Sequence, residues 1–137
     1  MMWMLPTNKN IEAIGIGNDI VEVERIQQAI EKQGQAFLDK VYTKHEQDYC
    51  LGKGVKQYES FASCFAAKEA ISKALGCGIG EVLRFHDMEI RHDHLGKPTV
   101  SFSERFKANY STQIHAEVAL SHTQALAIAN ALLLRVS

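Results

Sequence analysis

Phe65-Ala66-Ala67-Lys68-Glu69-Ala70-Ile71-Ser72-Lys73-Ala74-Leu75-Gly76 closes the longest helical pattern in the chain. The pattern opens at Glu59, is rich in alanine and holds no internal glycine or proline, so it predicts a helix from Glu59 to Leu75. Gly76 is placed as a left-handed stop, and Gly78 and Gly80 extend a glycine-rich turn. Glu69 and Lys73 stand four apart and share a face, flanked by the small Ala62 and Ala66. On a solvated surface such a pair contributes only ~0.3–0.5 kcal/mol. Phe61 and Phe65 on the same general side argue against a wholly solvent-facing surface. An acid and a base at the edge of an apolar face can hold a hard cation and an anion together.

Upstream, Ala13-Ile14-Gly15-Ile16-Gly17 predicts a short buried strand, with glycines where side chains must be absent. Asn18-Asp19 punctuates it. From Ile20 to Gln33 the apolar residues Val23, Ile26, Ala29 and Ile30 recur at helical spacing, and Gly34 is a stop. Asp19 has two readings. One is an N-cap, stabilising by ~1 kcal/mol. The other is a carboxylate delivered to a strand's end, where ligands gather. Phe37 to Tyr49 predicts one or two helical pieces with Thr43 as a cap, and Leu51 to Lys56 a loop carrying Lys53 and Lys56.

Downstream, Met88-Glu89-Ile90-Arg91 and Thr99-Val100-Ser101-Phe102 alternate as half-buried strands around a His94–Pro98 turn. Ser103 caps a short helix from Glu104 to Tyr110. Two final strands, Ala116–Leu120 and Ala125–Leu134, flank Ser121-His122-Thr123. Residues 1–10 read as an arm and 11–137 as one domain. Helices mixed with late hairpins predict an α+β fold, a mostly antiparallel sheet packed on the long helix.

The chain has 137 residues, enough for one domain with a core of its own. A formal net charge of -1 provides no bulk attraction to nucleic acid or an anionic membrane. Cys50, Cys64 and Cys77 are odd in number and widely spaced, which disfavours a disulfide framework or zinc knuckle and suits a reducing cytoplasm. The apolar N-terminus lacks basic residues and is broken by Pro6. The run from Ala125 to Val136 is too short to span a bilayer and carries Asn130, so the expectation is a cytoplasmic chain. Gly15-Ile16-Gly17-Asn18-Asp19-Ile20 fails the dinucleotide fingerprint at Ile20, and no Walker-type loop or G-x-S-x-G elbow occurs. His86, His92 and His94 lack a defined metal-ligand spacing and read as surface residues of a hairpin. His122, between two apolar strands, reads on spacing alone as a turn histidine.

Three segments together resemble one family, the holo-acyl-carrier-protein synthases, which are short bacterial 4′-phosphopantetheinyl transferases. Gly15-Ile16-Gly17-Asn18-Asp19-Ile20-Val21-Glu22-Val23-Glu24-Arg25-Ile26 looks like the family's opening strand, aspartate and arginine. The Phe65–Gly76 stretch is similar to its most diagnostic segment, a Lys-Glu-Ala core with a second lysine four residues after the glutamate. Ser121-His122-Thr123 before an apolar strand is the third. Gly76-Cys77-Gly78-Ile79-Gly80 and Gly96-Lys97-Pro98 also match in order and spacing.

The resemblance implies transfer of 4′-phosphopantetheine from coenzyme A to a serine of apo-acyl carrier protein, with release of 3′,5′-ADP, in support of fatty acid biosynthesis. By that analogy Asp19 and Glu69 hold Mg²⁺, and Lys73 reaches the diphosphate. Asp19, Glu69 or bound water takes the serine proton. Gly76, His122 and Thr123 line the coenzyme A site. Lys53 and Lys56 hold its phosphates, from a neighbouring subunit of a homotrimer with active sites between subunits. Arg25 and Lys32, seven apart on one helical face, meet the carrier protein. Cys64 stands where the family usually has a basic residue, and the first helix is less basic than is usual. A non-catalytic module holding coenzyme A or carrier protein, and a structural protein with a plain Glu69–Lys73 ion pair, are the competing readings.

Overall fold

The computed structural model describes residues 10–110 and 113–137. The expected arm, residues 1–10, lies outside the described residues except for Asn10, whose carbonyl accepts a hydrogen bond from the Ser137 N–H. Strand β1 (Ile11–Glu22) leads into three helices, α1 (Val23–Gln33), α2 (Gln35–Val41) and α3 (Lys44–Leu51). A 3₁₀ turn at Gly54–Lys56 precedes the long α4 (Gln57–Leu75). A hairpin, β2 (Met88–His92) and β3 (Pro98–Phe102), is followed by short α5 (Glu104–Lys107), then β4 (Gln113–His122) and β5 (Leu126–Val136). The long strands form an antiparallel sheet in the order β1-β5-β4, and α4 packs on it. The α+β expectation, an antiparallel sheet on a long helix, holds.

Glycine and alanine decide how closely the sheet and helix meet. Residues 15, 17, 19 and 21 of β1 point towards α4, as the alternation of a strand requires. A Cβ on Gly15 would lie 1.8 Å from the Ala74 carbonyl oxygen, and one on Gly17 2.2 Å from that of Ala70. The strand backbone therefore rests directly on the helix backbone. Ala66, Ala70 and Ala74 of α4 and Ala127, Ala129 and Ala131 of β5 are all buried in this layer. Small side chains on both elements permit the close approach and its dispersion contacts.

Several boundaries shift by a few residues from the sequence expectation, α5 ending at Lys107 and β4 spanning Gln113–His122, and the largest change is at the end of β1. β1 does not stop at Gly17, and α1 does not start at Ile20. The strand runs through Asp19↔Ala129 and Ile20↔Ile128 to Glu22↔Leu126 because β5 offers an antiparallel partner over that whole length. Asp19 is accordingly a strand residue, and the N-cap of α1 is Glu22, which makes no side-chain cap. Thr43 does cap α3, in a full capping box with Glu46. Gly34 and Gly76 end α1 and α4 at positive φ, as the sequence predicts.

Lys68 carried no assignment beyond its motif, and it proves to be a fully buried structural ion. Its ammonium donates to Glu46 Oε1 at 2.7 Å, to the Val41 carbonyl at 2.8 Å and to the Phe85 carbonyl at 3.1 Å. Glu46 in turn accepts from the backbone N–H groups of Thr43 and Ile90. This network ties α3, α4, the end of α2 and the hairpin at one buried point.

Three stability outcomes follow. Gly17→Ala should cost about 1–3 kcal/mol in urea unfolding through overpacking. Gly80→Ala, where an added Cβ meets nothing within 4 Å, should stay within about 0.5 kcal/mol of the wild type. Lys68→Met should cost about 3–5 kcal/mol because it leaves the Glu46 carboxylate buried without its counter-ion.

Candidate active site

The close packing of β1 on α4 brings Asp19 to the helix face that bears Glu69 and Lys73. Lys73 Nζ donates to Asp19 Oδ1 at 2.9 Å, with the aspartate side chain 15% exposed and the lysine 51%. The ion pair thus runs between strand and helix. The Glu69–Lys73 pair expected along the helix is replaced by Asp19–Lys73. Glu69 is half-buried, and among the described residues its carboxylate takes no hydrogen bond. Burial pushes its pKa above the ordinary range, the Asp19 charge pushes it further, and Lys73 opposes both. Two carboxylates that feel each other's charge, one of them without a hydrogen bond among the described residues, thus meet beside Lys73.

Asp19 and Glu69 line a cavity of about 650 Å³ together with Arg25, Phe37 and Phe65. Arg25 is exposed at the start of α1, while Lys32, also exposed, lies two turns further along that helix. A second cavity, of about 400 Å³, is lined by Lys53, Lys56 and His122 with Tyr49, Ser63 and His92. Ser60, Ser63 and Cys64 of α4 line this second cavity, whereas Phe65 and Glu69 line the first. Within one chain, the carboxylates and the loop lysines therefore line separate cavities.

His122 closes β4, where its Nδ1 lies 2.9 Å from Glu59 Oε1 at the first turn of α4. Gly76 and Thr123 line neither cavity. Gly76 is the left-handed C-cap of α4, and the Thr123 hydroxyl accepts from the Ala125 and Leu126 N–H groups in the β4–β5 turn. Two further residues were misread or missed. His92 is not a plain surface residue, because it stacks on Tyr49 at 4.1 Å and lines the second cavity. Glu59 had no assignment, and no sequence spacing connects it to His122, 63 residues away.

Cys64 is buried in the wall of the second cavity, where burial holds its thiol neutral. It supplies no charge for a phosphate, and the cations there are Lys53 and Lys56. All three cysteines are free. No group of three or more His, Cys, Asp or Glu among the described residues is placed to hold a metal. A pair of oxygen donors is what a hard cation needs when phosphate and water complete its shell. No helix among the described residues is long and apolar enough to cross a membrane.

The profile of the 4′-phosphopantetheinyl transferase superfamily matches residues 15–129. A holo-[acyl-carrier-protein] synthase of Ruminiclostridium cellulolyticum is 46% identical over 120 residues, covering 86% of this chain and 90% of the relative. The crystal structure of a holo-(acyl-carrier-protein) synthase from Bacillus anthracis in complex with CoA (3′,5′-ADP) aligns with a TM-score of 0.73 at 37% identity, covering 88% of this chain and 96% of that one. The Helicobacter pylori enzyme in complex with coenzyme A aligns with a TM-score of 0.77 at 32% identity, covering 86% and 98%. The chain belongs to the 4′-phosphopantetheinyl transferase superfamily.

The raised pKa of Glu69 has a sign that can be measured. A carboxyl whose pKa is higher folded than unfolded favours the folded state when protonated, and loses that contribution as pH rises through the folded value. Glu69→Gln should therefore raise the melting temperature at pH 7 relative to the wild type, with the gain shrinking towards pH 4. A lower melting temperature for the variant at pH 7 would contradict the assignment.

Proposed function

We propose, on the premise of that family membership, that this chain transfers 4′-phosphopantetheine from coenzyme A to a serine of apo-acyl carrier protein, releasing 3′,5′-ADP. The observation that carries the reading is the convergence of Asp19, Glu69 and Lys73 from a strand and a helix distant in sequence. In the reaction the serine oxygen bonds to the phosphorus that carries the pantetheine. The bond from that phosphorus to the bridging oxygen of the diphosphate breaks, and the electron pair leaves with 3′,5′-ADP.

Lys73, half-exposed, would stabilise the charge that develops on the leaving phosphate. Glu69, which takes no hydrogen bond among the described residues, would accept the serine proton, directly or through a bound water, more readily than Asp19, which is tied to Lys73. Asp19 and Glu69 are also the residues that would hold Mg²⁺. The ion would neutralise diphosphate charge and polarise its oxygens. Arg25, beside Asp19 and Glu69, and Lys32 further along α1 would meet the acidic carrier protein.

Coenzyme A must reach both the carboxylates and the phosphate-binding lysines, and one chain holds these in separate cavities. A homotrimer with active sites between subunits solves this, one copy supplying Asp19, Glu69 and Lys73 and the next Lys53, Lys56 and His122. The outer face of the sheet supports self-association: Ile16 is 79% exposed and Ile20 61%, with Ile128 opposite Ile20 and Leu126, also exposed, two residues along β5. Gly76 and Thr123 would contribute at the rim of this shared cleft. Such an enzyme serves fatty acid biosynthesis in the cytoplasm. Residues 11–137 would act as one catalytic domain.

Incubation with apo-acyl carrier protein, coenzyme A and Mg²⁺ should raise the carrier's mass by one phosphopantetheine. Asp19→Ala and Glu69→Ala should each lower the rate by at least about 100-fold while the circular dichroism spectrum is kept. Near-wild-type transfer by either variant would refute the site assignment. Coenzyme A binding with no mass gain by the wild type would favour a binding module.

A further inference from the structure

The Lys73–Asp19 ion pair, 2.9 Å long, joins two groups to which the reaction gives different partners. Asp19 is to hold a divalent cation, and Lys73 is to meet a phosphate. An ammonium on Asp19 Oδ1 and a divalent cation on the same carboxylate would be like charges at close range, and like charges repel. Glu69 has no such conflict. It takes no hydrogen bond among the described residues, and it feels the charges of both Asp19 and Lys73.

The two lysines of this part of α4 differ in their freedom to move. Lys68 is fully buried and donates to Glu46 and to two carbonyls, so its ammonium is fixed. Lys73 makes one ion pair among the described residues, and its side chain is half-exposed. A half-exposed ion pair is weak. An ammonium on a flexible four-carbon stem can leave it for water or for a stronger anion. Room for that movement exists. Lys73 lines a third cavity, of about 710 Å³, with Gly17, Asn18 and Glu117, and it does not line the cavity of Asp19 and Glu69. The lysine thus reaches Asp19 from outside the carboxylate cavity and has open space to withdraw into.

We infer that Lys73 competes with the divalent cation for Asp19 and yields it when the phosphates of coenzyme A draw the ammonium away, so that cation and coenzyme bind as a coupled pair. This rests on the functional reading above, in which Asp19 and Glu69 hold the cation and Lys73 meets the diphosphate. A cation arriving alone has to break the ion pair and leave Lys73 with water only. A cation arriving with coenzyme A finds the ammonium already on a phosphate. The coupling is reciprocal: coenzyme A tightens the cation by the same factor as the cation tightens coenzyme A.

The test is a titration of the full chain with Mn²⁺, free ion being read by electron paramagnetic resonance, with no carrier protein and therefore no turnover. Without coenzyme A, Lys73→Met should bind Mn²⁺ about tenfold more tightly than the wild type. Adding coenzyme A should tighten the wild type by about tenfold or more, and Lys73→Met by several-fold less than that. Lys73→Gln supplies the same readout should the methionine variant fold poorly. Arg25→Met separates the ion pair from general charge. Arg25 is exposed, lines the cavity of Asp19 and Glu69, and pairs with neither among the described residues. Its removal should change Mn²⁺ affinity by less than about twofold, because exposed charges are screened. Lys73 variants that bind Mn²⁺ no more tightly than the wild type overturn this inference alone, as does an Arg25→Met gain of equal size. A wild type that binds no Mn²⁺ even with coenzyme A present overturns it together with the cation site of the functional reading.

Discussion

The contact of the β1 backbone with the α4 backbone, through Gly15 and Gly17, is the constraint on which the rest depends. A side chain at either position would collide with the carbonyl of Ala74 or Ala70. Because neither has one, strand and helix approach closely enough for the next inward residue, Asp19, to reach Lys73 at 2.9 Å. The alanines of β5 continue the same flat floor beneath the helix. A larger residue there would lift α4 and separate the strand carboxylate from the helix residues it works with.

Closeness alone would not aim the helix. Lys68 and Glu69 are neighbours in sequence but about 100° apart around the axis, and they meet opposite fates. Lys68 is sealed in the core on Glu46 and two carbonyls. That anchorage fixes the rotation of α4 and turns Glu69 outward to the cavity. Desolvation, which the lysine offsets with three hydrogen bonds, is left uncompensated at the glutamate and appears as a raised pKa. The raised pKa of Glu69 is thus a by-product of how the core is held.

The long helix was legible because an alanine-rich run between a glycine-bearing loop and a terminal glycine has few other conformations available. The hairpin strands and the Thr43 cap were legible for similarly local reasons. The end of β1 was not, because the pattern from Ile20 fits a helix and only its pairing with β5, more than a hundred residues away, keeps it extended. Asp19, Glu69 and Lys73 stood out through their motif. His92 did not, since what distinguishes it is its stack on Tyr49 in a cavity wall, and sequence spacing carries no record of that. Thr123 shows the converse: its motif drew attention to a hydroxyl that the β4–β5 turn uses for its own backbone.

The central claim is that β1 and α4 together present one cation site, formed by Asp19 and Glu69, to the diphosphate of coenzyme A. Crystals grown with coenzyme A and Mn²⁺, mapped by anomalous scattering, test it most directly. The expected result is a single strong peak bonded to one oxygen of Asp19 and one of Glu69, with a phosphate oxygen of the coenzyme in the same shell. A peak held by other carboxylates, or coenzyme bound with no metal between Asp19 and Glu69, would contradict it.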